Sequence, residues 1–242
     1  ERHRVAAEVL RATALGAFVR AAEAARSNPL QEGDVADWIR ATLKGAGITE
    51  QVDTIVAGGV RSADPHYQPR GRGAPLEPET AVLIDLWGSF PEGVPADQTW
   101  MGYLGADPPD ALSRAWDAVR AARDEALEFL RERASADAPT RGYEVDTVAR
   151  AALRIHGLDR HFTHRLGHSI DHDPHGAGPN LDDFETHDDR RPVAGIGFSV
   201  EPGVYLPGEF GVRSEVNVYL GEAGPEVTPT VIQTELLTAP RA

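Results

Sequence analysis

The run TAVLIDLWG at residues 80–88 sets a carboxylate, Asp85, in the middle of an apolar, β-branched stretch of the kind that forms a buried strand. An isolated ionised carboxylate inside a core carries a desolvation penalty of several kcal/mol, so a cation or strong donors must stand beside it. Two later runs repeat the anomaly, FSVEPGVYL around Glu201 and GVRSEVNVYL around Glu215. Any fold of this chain must bring neutralising groups to those strands. Asp97 closes the turn SFPEGVPAD; by pattern it is less buried, and it is expected to face Asp85 across a hairpin with QTWMGYLG at 98–105. The 242 residues contain no cysteine. That excludes disulfides, thiolate zinc sites, iron–sulfur clusters and cysteine nucleophiles, and leaves oxygen and imidazole to hold any metal.

Helical spacing of Val5, Val9, Ala12, Phe18, Val19 and Ala22 predicts an amphipathic helix over 4–26, stopped by SNP at 27–29. Asp34 is the expected N-cap of a second helix carrying Val35, Trp38, Ile39 and Leu43 and ended by GAG at 45–47. VDTIVAGG (52–59) reads as a strand and 62–78 as a long loop; two more helices are expected near 110–134 and 144–156. From His161 onward the runs HFTHRLGHSI, GFSVEPGVYL, GVRSEVNVYL and PTVIQTELLT are strand-like. Helices early and antiparallel strands late predict an α+β fold, read as one domain over 1–242 because no linker divides the chain. With 24 basic against 38 acidic residues the formal charge is -14, which argues against nucleic acid or an anionic membrane as partner. No apolar run approaches the ~18 residues of a membrane span, and the N-terminus reads as a polar helix rather than a signal peptide. A soluble, cytoplasmic protein is expected.

HRLGHSIDHDPHG, residues 164–176, is dense in ligand-type side chains and admits two readings. His168, Asp171 and His172 form H-x-x-D-H, close to a helical zinc motif that sets two imidazoles on one face. That reading needs a helix, and Gly167, Pro174, Gly176, Gly178 and the β-branched Ile170 oppose one. In the second reading His168 alone joins the distant carboxylates Asp85, Asp97, Glu201 and Glu215, an oxygen-rich set suited to two divalent first-row ions.

The order VLIDLWG…PADQTW, THRLGHSIDHDPHG, GFSVEPGVYL, GVRSEVN resembles the pita-bread metallopeptidases: Xaa-Pro aminopeptidases, prolidases and, more distantly, methionine aminopeptidases and creatinase. The resemblance runs from about Glu1 to Leu237. It implies a curved antiparallel sheet flanked by helices with a dinuclear site in its concave face, and an N-terminal domain in full-length relatives that these residues do not include. Carried over by residue, it implies Asp85, Asp97, His168, Glu201 and Glu215 as ligands of two divalent ions, manganese first, then cobalt, zinc or iron. Asp97 and Glu215 would bridge the ions, Asp85 would chelate one, and His168 and Glu201 would complete the other. His66, His164 and His175 match substrate and transition-state histidines, and Arg213 an arginine that supports the bridging carboxylate or the substrate. Glu201, His175 and His66 would act in the chemistry, on a proline-containing peptide, in an enzyme expected to be a homodimer.

The sequence departs from the family pattern on expected pocket walls rather than at the ligands. Asp85 and Asp97 are one position farther apart than is usual, GVP replaces a Gly-Tyr, DQTW stands at the second aspartate, and SIDHDP follows His168. Asp171, His172, Asp173 and Trp100 are the altered wall residues, and they open an alternative: a pita-bread metallohydrolase or lyase acting on a small non-peptide metabolite. A non-catalytic binding module is the third reading, disfavoured by five intact ligand positions. Blander assignments stand beside these: Asp85 paired with a buried arginine, Glu215 in an ion pair with Arg213, His66 solvated in a loop. His161, His172 and His187 are assigned to the surface, and Asp182, Asp183, Asp188 and Asp189 to a solvated acidic loop.

Overall fold

In β2 (Ala81–Gly88), Val82, Ile84 and Leu86 point one way and Leu83, Asp85 and Trp87 the other, the period of two of a pleated strand. The computed structural model describes residues 1–50 and 53–240, so Val52 of the expected strand VDTIVAGG lies outside the described residues. β1 (Ile55–Gly58) and β3 (Ala96–Tyr103) flank β2, both antiparallel to it. One face of this sheet packs on Leu10 and Phe18 of α1 (Arg2–Ala25) and on Ile39 and Leu43 of α2 (Glu32–Gly45). A Cβ at Gly102 of β3 would come within 2.1 Å of the Phe18 ring, so glycine is what lets α1 lie this close. The other face joins a second core with Leu112, Trp116 and Val119 of α3 (Asp110–Ser135) and Val145 of α4 (Gly142–Ile155).

The remaining strands are β4 (Ser169–Ile170), β5 (Gly197–Val200), β6 (Gly203–Leu206), β7 (Phe210–Arg213), β8 (Val216–Gly221), β9 (Gly224–Thr228) and β10 (Leu237–Thr238). β4, β5, β8 and β9 form a second antiparallel sheet, β6 and β7 a two-stranded ribbon, and β10 pairs with β3 in parallel. Phe198, Val200, Val216 and Val218 turn to the second core, which leaves Ser199 and Asn217 on the opposite face. No helix among the described residues is long and apolar enough to cross a membrane.

The expected order of elements is present, with informative differences. Asp34 is not the N-cap of α2: the helix starts after Gln31, and the Asp34 carboxylate accepts the Gln31 N–H at 3.0 Å from the first turn. GFSVEPGVYL and GVRSEVNVYL each break into two strands in different sheets, at Glu201–Pro202 and at Ser214–Glu215. Pro202 has no N–H to give a ladder, which favours the first break. PTVIQTELLT contributes only β10, because the Gln233 side-chain amide stands in for a strand: it donates to Met101 O at 2.6 Å and accepts from Met101 N–H at 2.9 Å. The acidic loop is only partly solvated. Asp182 is buried and accepts the N–H groups of Phe184, Glu185 and Thr186, and buried Asp188 accepts those of Asn180 and Arg190.

Candidate metal centre

Asp85 pairs across the hairpin with Thr99, and Asp97 with Trp87, so the two carboxylates are diagonal neighbours on one face rather than a facing pair. Both are buried, Asp97 as fully as Asp85, contrary to the pattern-based reading. Glu201 and Glu215 occupy the two breaks where the chain changes sheet, Glu201 N–H donating to Leu166 O at 2.8 Å and Glu215 N–H approaching Thr99 O at 3.4 Å. His168 is delivered by a close approach: a Cβ on Gly167 would sit 1.9 Å from Ser199 O, and the His168 N–H donates to Ser199 Oγ at 3.0 Å. His168 precedes the two-residue strand β4, not a helix, as the opposition to H-x-x-D-H requires.

These five side chains converge at the floor of a cavity of about 690 Å³. Asp97, His168 and Glu215 offer ligand atoms that all lie within 4.8 Å of one another. His168 Nε2 is 3.4 Å from Asp97 Oδ2 and 3.4 Å from Glu201 Oε1. Thr99 Oγ1 stands 3.0 Å from Asp85 Oδ1 and 2.9 Å from Glu215 Oε2 and accepts the Arg213 Nε–H at 2.9 Å. A hydroxyl has one proton, so it can serve only one of those carboxylates at a time.

Without cations, burial favours the neutral forms of the acids in this cluster. Burial pushes Asp85 up to about 7 even against the attraction of Arg213. Burial also raises Glu201, and it raises Glu215 well above the usual range, with the charges of Asp97, Glu201 and Asp85 adding to it. Burial works to lower His168, yet its hydrogen bond to Asp97 and the charges of Glu201 and Asp97 carry it up to about 9. Glu215 Oε1 is buried with no hydrogen-bond partner among the described residues. A crowded carboxylate set with an orphaned oxygen and one imidazole is short of positive charge, and its donors suit divalent cations.

Arg213 supplies part of that charge, and the bland reading of Asp85 is realised as well: Arg213 Nη2 donates to Asp85 Oδ2. Its Nη1 donates to the Tyr205 hydroxyl at 2.9 Å. The guanidinium is therefore engaged by Asp85, Thr99 and Tyr205; Arg213 forms no ion pair with Glu215. His164 lines the cavity with both ring nitrogens engaged. Nδ1–H donates to Arg165 O at 2.7 Å, which leaves Nε2 to accept the Tyr205 O–H at 2.8 Å. Burial, then the charge of Arg213, lowers the His164 imidazole to about 3. His175 stands at the cavity surface with its ring edge-on to His168, centroids 4.3 Å apart, and His66 lies at the exposed mouth.

The expected wall residues are elsewhere. Trp100 faces α1 and α2, where its Nε1–H donates to Gln98 Oε1 at 2.9 Å. Asp171 and His172 line a separate cavity of about 550 Å³, and Asp173 lines neither. Sequence reasoning missed Thr99, Tyr205 and Ser199. Thr99 carried a signal, lying two residues from Asp97 and so on the same strand face; Tyr205, in an ordinary apolar strand, carried none.

Residues 1–222 match the profile of metallopeptidase family M24. The chain is 31% identical over 197 residues to a probable dipeptidase PepE of Mycobacterium tuberculosis, covering 80% of this chain and 48% of that protein. It is 32% identical over 166 residues to an Xaa-Pro dipeptidase of Lactobacillus delbrueckii subsp. lactis, covering 67% and 40%. Among solved structures, an Xaa-Pro dipeptidase from Bacillus anthracis superposes with a TM-score of 0.83 at 27% identity, over 98% of this chain and 61% of that one. An X-Pro aminopeptidase from Thermotoga maritima superposes at 0.82 and 28%, over 98% and 62%. The chain spans about half the length of the curated relatives it matches. Its fold is the pita-bread fold, and the chain belongs to metallopeptidase family M24.

Proposed function

We propose that this chain carries the catalytic centre of a dinuclear metal-dependent hydrolase that cleaves Xaa-Pro peptide bonds. One observation carries the reading: three buried carboxylates, the partly buried Glu201 and an imidazole, drawn from five separate segments, meet at the floor of one cavity with an acid oxygen left unpaired. The dipeptidase and Xaa-Pro names of the relatives support the substrate class. Asp85, Asp97, His168, Glu201 and Glu215 would hold two divalent ions, which supply the Lewis acidity that lowers the pKa of water toward ~7.

The protein's own groups handle the proton and the substrate. Glu201, raised by burial and only 15% exposed at its side chain, takes a proton at its carboxylate and passes it to the leaving nitrogen. Ser199 Oγ–H donates to Glu201 Oε1 at 3.2 Å and holds that carboxylate in orientation. His175, exposed at the cavity surface, donates an N–H toward the charge that develops on the carbonyl oxygen. His66, at the exposed mouth, and His164, fixed through Tyr205, orient the substrate. An amide at proline has no N–H, so the pocket needs shape and protonation of the leaving nitrogen rather than a backbone acceptor. The metabolite alternative rested on altered walls at Asp171, His172, Asp173 and Trp100, and none of these lines the cavity.

Assay of protein prepared with Mn²⁺ or Co²⁺ against Xaa-Pro dipeptides, longer Xaa-Pro peptides and acyl-amide metabolites tests the reading. Cleavage of at least one Xaa-Pro peptide and close to two ions per chain are expected. Asp97→Ala and Glu215→Ala should each abolish turnover and weaken metal retention, with His172→Ala mild. Two bound ions with turnover only of a metabolite amide would refute the peptidase reading.

A further inference from the structure

Resting on the peptidase reading above, we infer that Arg165, held by Glu185, is a specificity residue that receives a carboxylate of the substrate. With two divalent ions offsetting Asp85, Asp97, Glu201 and Glu215 on the cavity floor, selection of a carboxylate that enters with a substrate falls to a cation on the wall. Two arginines line this cavity. Arg213 has 5% of its side chain exposed and all three of its guanidinium nitrogens engaged, by Thr99, Tyr205 and Asp85. Arg165 has 29% exposed. Its hydrogen bond to Glu185 leaves through Nη2, and its Nε lies 3.9 Å from Asp182 Oδ2. A guanidinium carries five donors in a planar fork, so an edge engaged by Glu185 still leaves donors for a second carboxylate.

The pair is built into rigid surroundings. On one side of Arg165, the His164 carbonyl accepts from Arg150 Nη2 at 2.5 Å. On the other, the Leu166 N–H donates to Asp146 Oδ1 at 2.9 Å. Glu185 rides on the turn whose N–H groups Asp182 collects, and one of its oxygens accepts the Arg165 backbone N–H at 3.3 Å. The position is also close to the chemistry: Arg165 lies between the wall residue His164 and the ligand candidate His168, and its charge is felt at His175. Glu185 has two roles here. It aims the guanidinium, and it competes with the substrate for it.

Two substrate carboxylates have the right chemistry: the C-terminal carboxylate of the leaving residue in a dipeptide, and an acidic side chain on the residue before the scissile bond. Metal-loaded wild type and Arg165→Met are compared on Ala-Pro against Ala-Pro-amide, and on Glu-Pro-amide against Gln-Pro-amide, by kcat/KM. The wild type should prefer the acid of one pair by ~10–100-fold, the range of a charge-assisted hydrogen bond. In Arg165→Met that ratio should fall to about one through KM, while Arg165→Lys should restore part of it. Glu185→Gln should raise it, and it reads the same role if Arg165→Met does not fold. A preference in the first pair names the terminal carboxylate, and in the second pair the acidic side chain. Wild type without an acid preference in either pair, or an Arg165→Met variant that keeps the wild-type ratio, overturns the inference. If the wild type cleaves none of the four, the longer Xaa-Pro peptides above decide the peptidase reading separately. The same acid-to-amide ratios, measured as affinities by calorimetry, then decide the role of Arg165, with no binding by any of the four counting against it.

Discussion

Thr99 shares one hydroxyl proton between Asp85 and Glu215 while accepting from Arg213, so it ties together the three charged groups on its side of the centre. Thr99→Val keeps the shape and β-branching but removes the donor and the acceptor together. The expected loss is ~10–100-fold in metal affinity, the usual effect of losing an outer hydrogen-bond partner, measured by titrating Mn²⁺ calorimetrically. Affinity within twofold of wild type would show that Arg213 orients Asp85 unaided. Asp85, Glu201 and Glu215, three of the five proposed ligands, stood out in the sequence because an acid inside an apolar run is a local anomaly. Thr99 was not singled out, because a threonine in a strand is what β-propensity already predicts. Arg213 was found, but its partner was not: residue spacing suggests Glu215, two positions on, whereas the guanidinium reaches across to Asp85 in another sheet.

At the scale of elements, Arg123 fastens α3 to the segment that carries Glu215. Its side chain is fully buried, and its Nη1 donates to Ser214 Oγ and to Gln233 O, each at 2.7 Å. Arg123→Met leaves both acceptors unpaired in the core, and a loss of about 2–4 kcal/mol in unfolding free energy is expected, measured by chemical denaturation. A second element-level prediction concerns α1. His3, near its start, contacts Pro95 O at 2.9 Å and Thr228 Oγ1 at 2.8 Å, and burial lowers its pKa below 6.5. Folded His3 then binds fewer protons than unfolded His3, so its contribution to stability is complete above pH 6.5 and declines as pH falls below that value. His3→Gln should melt with a shallower loss than wild type between pH 7 and 5.5; identical slopes would remove His3 from the account. Helix positions were readable from periodicity, but the splitting of the late strands was not. The hydrophobic pattern runs unbroken through Glu201 and Glu215, and only tertiary pairing shows that each half belongs to a different sheet.

For the molecule as a whole, the proposed cation centre predicts that stability depends on bound cations. Ligand at 100 times its dissociation constant adds ~2.7 kcal/mol per site, so chelation should lower the melting temperature and re-addition of Mn²⁺ should restore it. Uptake should also release protons, because burial raises Asp85 and Glu215 and so favours their protonated forms when no cation is bound; calorimetry in buffers of different ionisation enthalpy reads that release. A melting temperature indifferent to chelator would contradict a cation site. The overall architecture was legible because the element order, helices first and strands late, leaves few ways to cover a sheet. The cavity walls were not, because which loop residue faces which cavity is decided by turns such as the one Asp182 organises, and these leave no periodic trace.

The two crossings of the chain between sheets, at Glu201 and Glu215, bear on the order of events in folding. Thr99 meets Glu215 across 116 positions, and the Asp97 N–H meets Asn217 Oδ1 across 120. Contacts of such separation form only after the entropy of closing long loops has been overcome, which makes them slow and late. No fragment that emerges early brings more than the Asp85–Asp97 hairpin to the centre. Cations at the proposed centre would therefore meet a finished topology and lock it rather than template it, so refolding should run at the same rate with or without them while unfolding slows when they are bound.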